Sequence, residues 1–325
     1  MNITTVWYQK HWLSRLLLPL SWFFRALVSL RRLAYRQRWL HSEKLSVPVI
    51  VVGNITVGGA GKTPVVLWLA NWLVAQGRRP GIVSRGYGGQ TGDSPQLVTP
   101  ASDPRIVGDE PVLLARRAGC PVAVSRDRVA AARLLIADHN CDVIVSDDGL
   151  QHYALAREVE IIVVDGVRRF GNSALLPAGP LREPLSRLRA VDFIVTDREP
   201  QSGEYLIARH CSKFVAVANG ETTTEPSVWR GRRVHGVAGI ANPTQFFDSL
   251  RELGLDVVNH PFQDHYLFQA SDLAFAESLP IIMTEKDAVK CRSFATAEMW
   301  YAELSCIPDA SFVAALAQKI KHWQC

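Results

Sequence analysis

Val47-Pro-Val-Ile-Val-Val-Gly-Asn-Ile-Thr-Val-Gly-Gly-Ala-Gly-Lys-Thr-Pro-Val-Val-Leu-Trp-Leu-Ala-Asn-Trp-Leu-Val-Ala75 is the stretch that decides the fold. It opens on an apolar, β-branched run that stops at Gly53, the pattern of a buried strand. It closes on an apolar helical stretch, Val65–Ala75, bounded by Gly77. Between them, Thr56-Val-Gly-Gly-Ala-Gly-Lys-Thr63 has the spacing of a P-loop, G-x-x-x-x-G-K-[ST], in the strand–loop–helix context that motif requires. Gly61, Lys62 and Thr63 match, whereas Thr56 stands where the motif has its first glycine, with Gly58 and Gly59 inside the loop. The physical requirement is a run of backbone N–H groups curled around phosphate oxygens, a path that glycine permits. Thr56, Val57, Gly58, Gly59, Ala60, Gly61, Lys62 and Thr63 are therefore expected to cradle the phosphates of ATP. Lys62 would reach the β- and γ-phosphates, the Thr63 hydroxyl would bind Mg²⁺, and the helix N-terminus would add its positive end. The competing reading, a chance glycine-rich turn, does not explain why Lys-Thr heads a helix directly after a strand.

Outward from this unit, short Val/Ile-rich runs alternate with helical stretches. Pro80–Ser84, Pro121–Ser125, Asp142–Ser146, Val159–Asp165 and Val191–Asp197 read as strands, and Asp127–His139 as a helix. A further helix is expected to start near Glu110-Pro111, with proline at its first helical position. This alternation predicts an α/β fold: a P-loop NTPase-type parallel sheet domain, covered by helices on both faces. After about residue 198 it weakens. A polar tract, Asn219–Pro226, lies within 213–231, which reads as a β-hairpin linker. A second, smaller α/β domain follows, with strands at Val234–Gly239, Asp256–His260 and Pro280–Thr284 and helices at Thr244–Leu253, Ala270–Ser278 and Ala310–Trp323. The expected organisation is thus 1–45, a basic hydrophobic helix; 46–212, the P-loop core; 213–231, the linker; and 232–325, the C-terminal domain.

Val143-Ile-Val-Ser-Asp-Asp-Gly-Leu-Gln-His152 is the second chemical signal. An apolar strand ending in Asp147-Asp148 has the form of a Walker B acid, which meets Mg²⁺ at a strand's C-terminal edge. The sequence does not choose between the two aspartates, and an Asp-Gly turn is the plainer alternative. Other clusters are less specific. Ser84-Arg-Gly-Tyr87 puts Arg85 and Tyr87 after a strand, where ligands bind in such sheets. Asp109 and Glu110 open a helix, either as capping acids or as working ones. Arg182 and Glu183 lie in a Pro/Gly-rich loop, and His265 follows Asp264 in another. Thr284-Glu-Lys-Asp287 looks like a guanine-reading motif with one residue too many before the lysine, and is discounted on that ground.

Composition narrows the class. The chain has 325 residues, net charge +5 and six cysteines, none at C-x-x-C spacing, so free thiols are the default and zinc or a disulfide framework is not indicated. The basic excess sits in 1–45, where Lys10, Arg15, Arg25, Arg31, Arg32, Arg36, Arg38 and Lys44 face one acid, Glu43; no basic face for nucleic acid is indicated elsewhere. The apolar run 16–30 is interrupted by Pro19 and Arg25 and is shorter than the roughly 20 residues of a spanning helix. With Trp7, Trp12, Trp22 and Trp39 it fits a helix lying in the interface and attracted to anionic lipid. A helix buried on the domain, or a true span, are the alternatives.

Taken in order, the motifs resemble one family, the tetraacyldisaccharide 4'-kinases of lipid A biosynthesis. The matching blocks are Val52–Pro64, Ser84–Tyr87, Gly108–Pro111, Asp147–His152, Leu176–Pro184, Asp264–Tyr266 and Thr284–Lys290. The Thr56 departure is usual for that family. The resemblance implies a lipid kinase that moves the γ-phosphate of ATP to the 4'-hydroxyl of a tetraacylated glucosamine disaccharide 1-phosphate, the lipid A disaccharide precursor, to give lipid IVA. It implies ATP and Mg²⁺ as cofactors and a peripheral or monotopic place on the cytoplasmic face of the Gram-negative inner membrane. It further implies Asp109 as the base with His265 its partner, alongside Lys62. Asp148, with Asp147, Glu183 and Thr63, would hold Mg²⁺, and Arg85, Tyr87, His152 and Arg182 are substrate candidates. The rival reading is a membrane-associated P-loop NTPase switch, for which no clean base-reading motif or switch region is evident.

Overall fold

The computed structural model describes residues 3–9, 11–90, 92 and 94–323; Lys10 and Cys325 lie outside the described residues. Three helices open the chain: α1 (Ile3–Tyr8), α2 (Trp12–Leu16) and α3 (Leu18–Arg36). The strands of the first half are β1 (Val49–Gly53), β2 (Pro80–Ser84), β3 (Gln96–Val98), β4 (Val122–Val124), β5 (Val143–Asp147), β6 (Val159–Val164) and β7 (Phe193–Thr196). They lie in the order β3-β4-β2-β5-β1-β6-β7, parallel except for β3. Helices α4 (Lys62–Ala75), α5 (Pro104–Val107), α6 (Asp109–Arg117) and α7 (Arg128–His139) connect them.

The period of two along β1 explains how one strand serves two cores. Ile50 and Val52 face Val66, Leu69 and Leu73 of α4 and Leu114 of α6. Val49 and Val51 face the other way, toward Val129, Ala132 and Leu135 of α7. All five β1 positions are buried, which is why the run carries no polar alternation.

The second half adds β8 (Tyr205–Ala216), β9 (Thr223–Thr224), β10 (Arg233–Ala238), β11 (Asp256–Pro261), β12 (Ile281–Thr284) and β13 (Met299–Pro308), with α8 (Pro243–Glu252), α9 (Glu285–Cys291) and α10 (Ala310–Ile320). The sheet is continuous: β7 is followed by β8, β13, β12, β10 and β11. β8 belongs to both halves, parallel to β7 through Val195↔Tyr205 and antiparallel to β13 from Ile207 to Ala216. The expected hairpin within 213–231 is formed by β8 and β9, but its first strand begins at Tyr205, well before residue 213.

Two other expectations are corrected, and one long strand answers to no expected element. The helix expected over Ala270–Ser278 is a single 3-10 turn, Ala270–Leu273, because Phe275 leaves the helical path to stack on His260 at 3.9 Å. The long strand without an expected counterpart is β13, its half-exposed residues showing no clean alternation. Helix α10, read as part of the C-terminal unit, packs back on the first half. Phe312, Leu316 and Ile320 join the core of α4, with Phe312 5.6 Å from Trp68. Each such side chain buried contributes about 1.5–3 kcal/mol, enough to clamp the chain's end to the P-loop unit.

The N-terminal helices are hung on the 172–182 loop. Trp7 Nε1 donates to the Pro177 carbonyl at 2.9 Å and the Ser14 hydroxyl to that of Ala178 at 2.7 Å. The buried Ser21 hydroxyl donates to Leu175 O (2.8 Å) and accepts from Ala178 N (3.0 Å). Trp7 is thus a core residue, unlike the other three tryptophans of this segment. Trp12, Trp22, Phe23, Leu20, Leu27, Leu30 and Trp39 are exposed, Trp22 and Phe23 each by 65%. No helix among the described residues is long and apolar enough to cross a membrane. The five described cysteines other than Cys325 are free, with burial pushing each thiol up to about 11 or 12.

Candidate active site

The loop between β1 and α4 turns through two glycines with positive φ, Gly58 (+102°) and Gly61 (+77°), a region other residues rarely adopt. Gly61 caps α4, and a Cβ there would run into the guanidinium of Arg209, which is ion-paired with Asp197 at the end of β7. The Thr56 side chain is within hydrogen-bond distance of Asn54 Nδ2 (3.2 Å), and its backbone bridges to Leu181. Lys62 Nζ donates to Asn54 Oδ1 at 3.2 Å and stands 3.5 Å from Asp148 Oδ1.

Asp147 and Asp148 are adjacent but electrostatically opposite. Asp147 ends β5, is buried, and accepts from the Ser84 hydroxyl at 3.3 Å; its Oδ1 has no partner. Burial, with the neighbouring charges of Glu110 and Asp148, pushes its carboxyl up to about 7. Burial would raise Asp148 too, but the Lys62 and Arg182 cations outweigh it and hold that carboxyl down at about 2. Arg182 Nη1 lies 3.1 Å from Asp148 Oδ2. Arg128 donates to the Asp147 and Asp148 carbonyls at 3.2 and 2.9 Å, fixing the turn. Asp148 has φ +47°, a left-handed conformation that aspartate tolerates better than most residues and that marks functional turns.

The second cluster joins the two halves. Asp109, at the start of α6, is 5% exposed; its Oδ1 accepts from Glu110 N at 2.9 Å and its Oδ2 lies 3.1 Å from His265 Nδ1. Burial alone would raise this carboxyl, but the His265 hydrogen bond and the Lys286 and Lys290 cations bring it below its ordinary value. His265 Nε2 is 3.2 Å from Lys286 Nζ, which also lies 3.2 Å from Glu110 Oε1 and 3.3 Å from Asp264 Oδ1. Lys290 pairs with the buried Asp287 at 2.8 Å and reaches Asp109 at 3.9 Å. The cleft beside Asp109 and His265 has a volume of about 960 Å³.

Most expected residues meet here. Lys62, Asp147, Asp148 and Arg182 form one group and Asp109 with His265 another, and Glu110 bridges them, pairing with Lys286 while its charge acts on Asp147. Tyr87 is exposed, its ring 5.1 Å from that of His265. Arg85 is exposed at the end of β2, close enough to act on Arg128. His152 is half-buried; burial, then Arg128 and Arg157, push its imidazole down to about 4. Glu183 sits in a hydrogen-bond network of its own, one step from the phosphate loop through Gln151, which also donates to the Asn54 carbonyl at 3.3 Å. Glu183 Oε1 accepts from Gln151 (2.8 Å) and Oε2 from the Tyr153 hydroxyl (2.7 Å), with Arg187 at 3.2 Å, so both oxygens already have protein partners. Asn54, Arg128, Arg209, Lys286 and Lys290 also border these groups, although none of them reads as a site residue in the sequence. For the two lysines the signal was their i,i+4 spacing, which puts both on one face of α9.

Mg²⁺ keeps several waters and needs only one or two carboxylates beside phosphate oxygens. No group of three or more His, Cys, Asp or Glu residues forms a metal cage among the described residues. Asp147 and Asp148, with the unpartnered buried Asp147 Oδ1, and Thr63 at the head of α4 suit that ion.

A family model described as LpxK, tetraacyldisaccharide-1-P 4'-kinase, matches residues 13–321. A tetraacyldisaccharide 4'-kinase of Nitrosococcus oceani is 53% identical over 96% of this chain and 92% of its own. That of Methylobacillus flagellatus is 49% identical over 97% and 94%. The crystal structure of the "apo" form of LpxK from Aquifex aeolicus in complex with ATP is 28% identical, covers 96% of this chain and 99% of that one, and superposes with a TM-score of 0.80. A phosphate loop, an acidic strand end and a buried Asp–His pair converge in a chain whose match runs almost end to end, and the chain belongs to the tetraacyldisaccharide-1-P 4'-kinase family.

Proposed function

We propose that this protein transfers the γ-phosphate of ATP to the 4'-hydroxyl of a tetraacylated glucosamine disaccharide 1-phosphate, with Asp109 as the base. The observation that carries this reading is the pairing of two sites: Lys62 3.5 Å from Asp148, and Asp109 3.1 Å from His265, with Glu110 between them. Backbone N–H groups of 56–63 and Lys62 hold the β- and γ-phosphates. Thr63 and Asp148, with Asp147, would hold Mg²⁺, which would supply neutralisation of phosphate charge. The acceptor O–H bond breaks as its proton passes to the Asp109 carboxylate. The freed oxygen pair forms the new P–O bond while the bond from γ-phosphorus to ADP breaks. The protein's contribution is positioning and charge, since phosphoryl transfer asks little covalent work of it.

The lipid acceptor is met at a membrane surface through α3. Its exposed Trp22, Phe23, Leu27 and Leu30 suit the acyl boundary, and none of Arg25, Arg31, Arg32, Arg36 and Arg38 has a carboxylate within 4.0 Å among the described residues, which suits anionic headgroups. The place of action is the cytoplasmic face of the inner membrane. The working division is the one expected above, with β8 as the shared element and α10 returned to the P-loop core. Transfer of labelled γ-phosphate, measured with and without lipid acceptor, is the test. A kinase loses little ATP without acceptor; hydrolysis at the same rate either way would favour the NTPase switch.

A further inference from the structure

The Thr284–Lys290 block, one of those that carry the family resemblance, supplies the Asp–His pair with its electrostatic frame. Lys286 Nζ has three partners at hydrogen-bond distance: Glu110 Oε1 (3.2 Å), Asp264 Oδ1 (3.3 Å) and His265 Nε2 (3.2 Å). An ammonium carries three donors and no lone pair, so all three partners must accept. The neighbouring carboxylates of Glu110, Asp109 and Asp264 outweigh burial and raise Lys286 above its ordinary value, so it stays an ammonium.

We propose that Lys286 is a positioning residue that fixes His265 as the neutral Nδ1–H tautomer, so that the imidazole donates to Asp109 and cannot accept its proton. This rests on the reading of Asp109 as the base. The argument is one of elimination at two nitrogens. An N–H on Nε2 would point at a donor-only cation 3.2 Å away, which removes both the Nε2–H tautomer and the imidazolium. A neutral imidazole has one N–H, which is left to Nδ1. Nδ1 lies 3.1 Å from Asp109 Oδ2, where a donor is needed, since the alternative sets a ring lone pair against a carboxylate lone pair. His265 is held in this pose by a left-handed backbone, φ +60°. Lys286 also ties α9 to α6, with Arg117–Glu285 at 2.8 Å as a second tie, so the tautomer is set only where the two halves meet. Asp109 therefore keeps the acceptor's proton through the transfer step, and His265 serves by orienting the carboxylate and hydrogen-bonding its Oδ2.

Two substitutions at His265 separate donor from base. The amide nitrogen of His265→Asn falls near Nδ1, and that of His265→Gln near Nε2. His265→Asn is expected to keep kcat within about tenfold of wild type, while His265→Gln and His265→Ala lose about 10²-fold or more, the range of a positioned acid–base group. Lys286→Met should lower kcat by about tenfold or more with KM for ATP within about twofold, and Lys286→Arg, also donor-only, should recover most of it. Ring ¹⁵N shifts of His265 in the full-length, detergent-solubilised protein report the tautomer whatever the turnover: Nδ1–H in wild type, moving toward Nε2–H in Lys286→Met. An Nε2–H wild type, or a His265→Asn variant as inactive as His265→Ala, overturns the proposal. So does a folded Lys286→Met variant with wild-type kcat. Full turnover in Asp109→Ala would instead bring down the assignment of the base, with the ¹⁵N spectrum still deciding the tautomer.

Discussion

Glu183→Ala discriminates between a structural and a metal-binding carboxylate. The side chain is fully buried and accepts from Gln151 and the Tyr153 hydroxyl, with the buried Arg187 beside it. Truncation leaves the Tyr153 hydroxyl and one N–H of Gln151 without an acceptor, each costing roughly 1–3 kcal/mol, while Gln151 keeps its bond to the Asn54 carbonyl. Arg187 is left less exposed electrostatically than a lone cation, because Glu160 still holds its other nitrogen at 2.5 Å. The network shares its members, so the terms do not add fully, and the expected loss is about 3–5 kcal/mol. At about 2–4 °C per kcal/mol, somewhat less for a chain of this length, the unfolding midpoint should fall by roughly 5–15 °C. Glu183→Gln keeps shape and one acceptor and should lose about half as much. Thermal unfolding in detergent, run beside a Mg²⁺ titration of ATP-dependent transfer, gives both quantities. An unchanged midpoint with a Mg²⁺ requirement raised many-fold would refute the reasoning and return Glu183 to the metal.

Lys62→Ala should abolish transfer while circular dichroism stays native; a folded variant with near-normal turnover removes the P-loop assignment. Asp109→Ala should lower kcat by about 10²-fold with little change in ATP affinity, and the reverse pattern would move the residue to the nucleotide side. Salt washing should release the protein from membranes only in part and detergent fully, since salt screens the arginines but not the apolar face of α3. Reversing Arg31, Arg32, Arg36 and Arg38 together should raise KM for lipid and leave that for ATP, and a wild type wholly soluble without detergent contradicts this. His152 has a folded-state value of about 4, below the unfolded 6.5, so the stability it contributes is full above pH 6.5 and is lost as pH falls toward 4. Urea midpoints at pH 7 and 5 should therefore differ less in His152→Gln than in wild type; an equal drop assigns the acid sensitivity elsewhere.

What was legible in the sequence was chemistry compressed into consecutive residues. Eight positions from Thr56 to Thr63 specify a phosphate loop because the backbone path, the cation and the helix start are all local. Asp147 and Asp148 were visible for the same reason, but their division was not, since it depends on Lys62, Arg182 and Glu110 arriving from elsewhere. Arg182 and Glu183 show the limit most plainly. They are neighbours in a bent loop, and their side chains part, one to Asp148 and the other to Tyr153. Arg209 gives no local sign of its place over Gly61, because β8 reaches the phosphate loop only through the order of the sheet. The apolar stripe Phe312, Leu316 and Ile320 announces an amphipathic helix but cannot name its partner, and chain order suggested the wrong half.

Gly108-Asp-Glu-Pro111 accounts for how two neighbouring acids take up separate tasks. Gly108, with φ +93°, turns the chain so that Asp109 and Glu110 both lie in the first turn of α6, where the helix dipole favours their anions. One hundred degrees of helical rotation then separates them: Asp109 faces His265 and Lys290, and Glu110 faces Lys286 and adds its charge to Asp147. Every cation in this arrangement comes from α9, in the other half of the chain. Burial without His265, Lys286 and Lys290 would leave nothing to oppose the upward push of desolvation on Asp109, and a poor anion to accept a proton. The meeting of α6 and α9 is therefore a condition of the chemistry and not only of the fold: the contact that joins the two halves also brings to Asp109 the cations that keep it an anion.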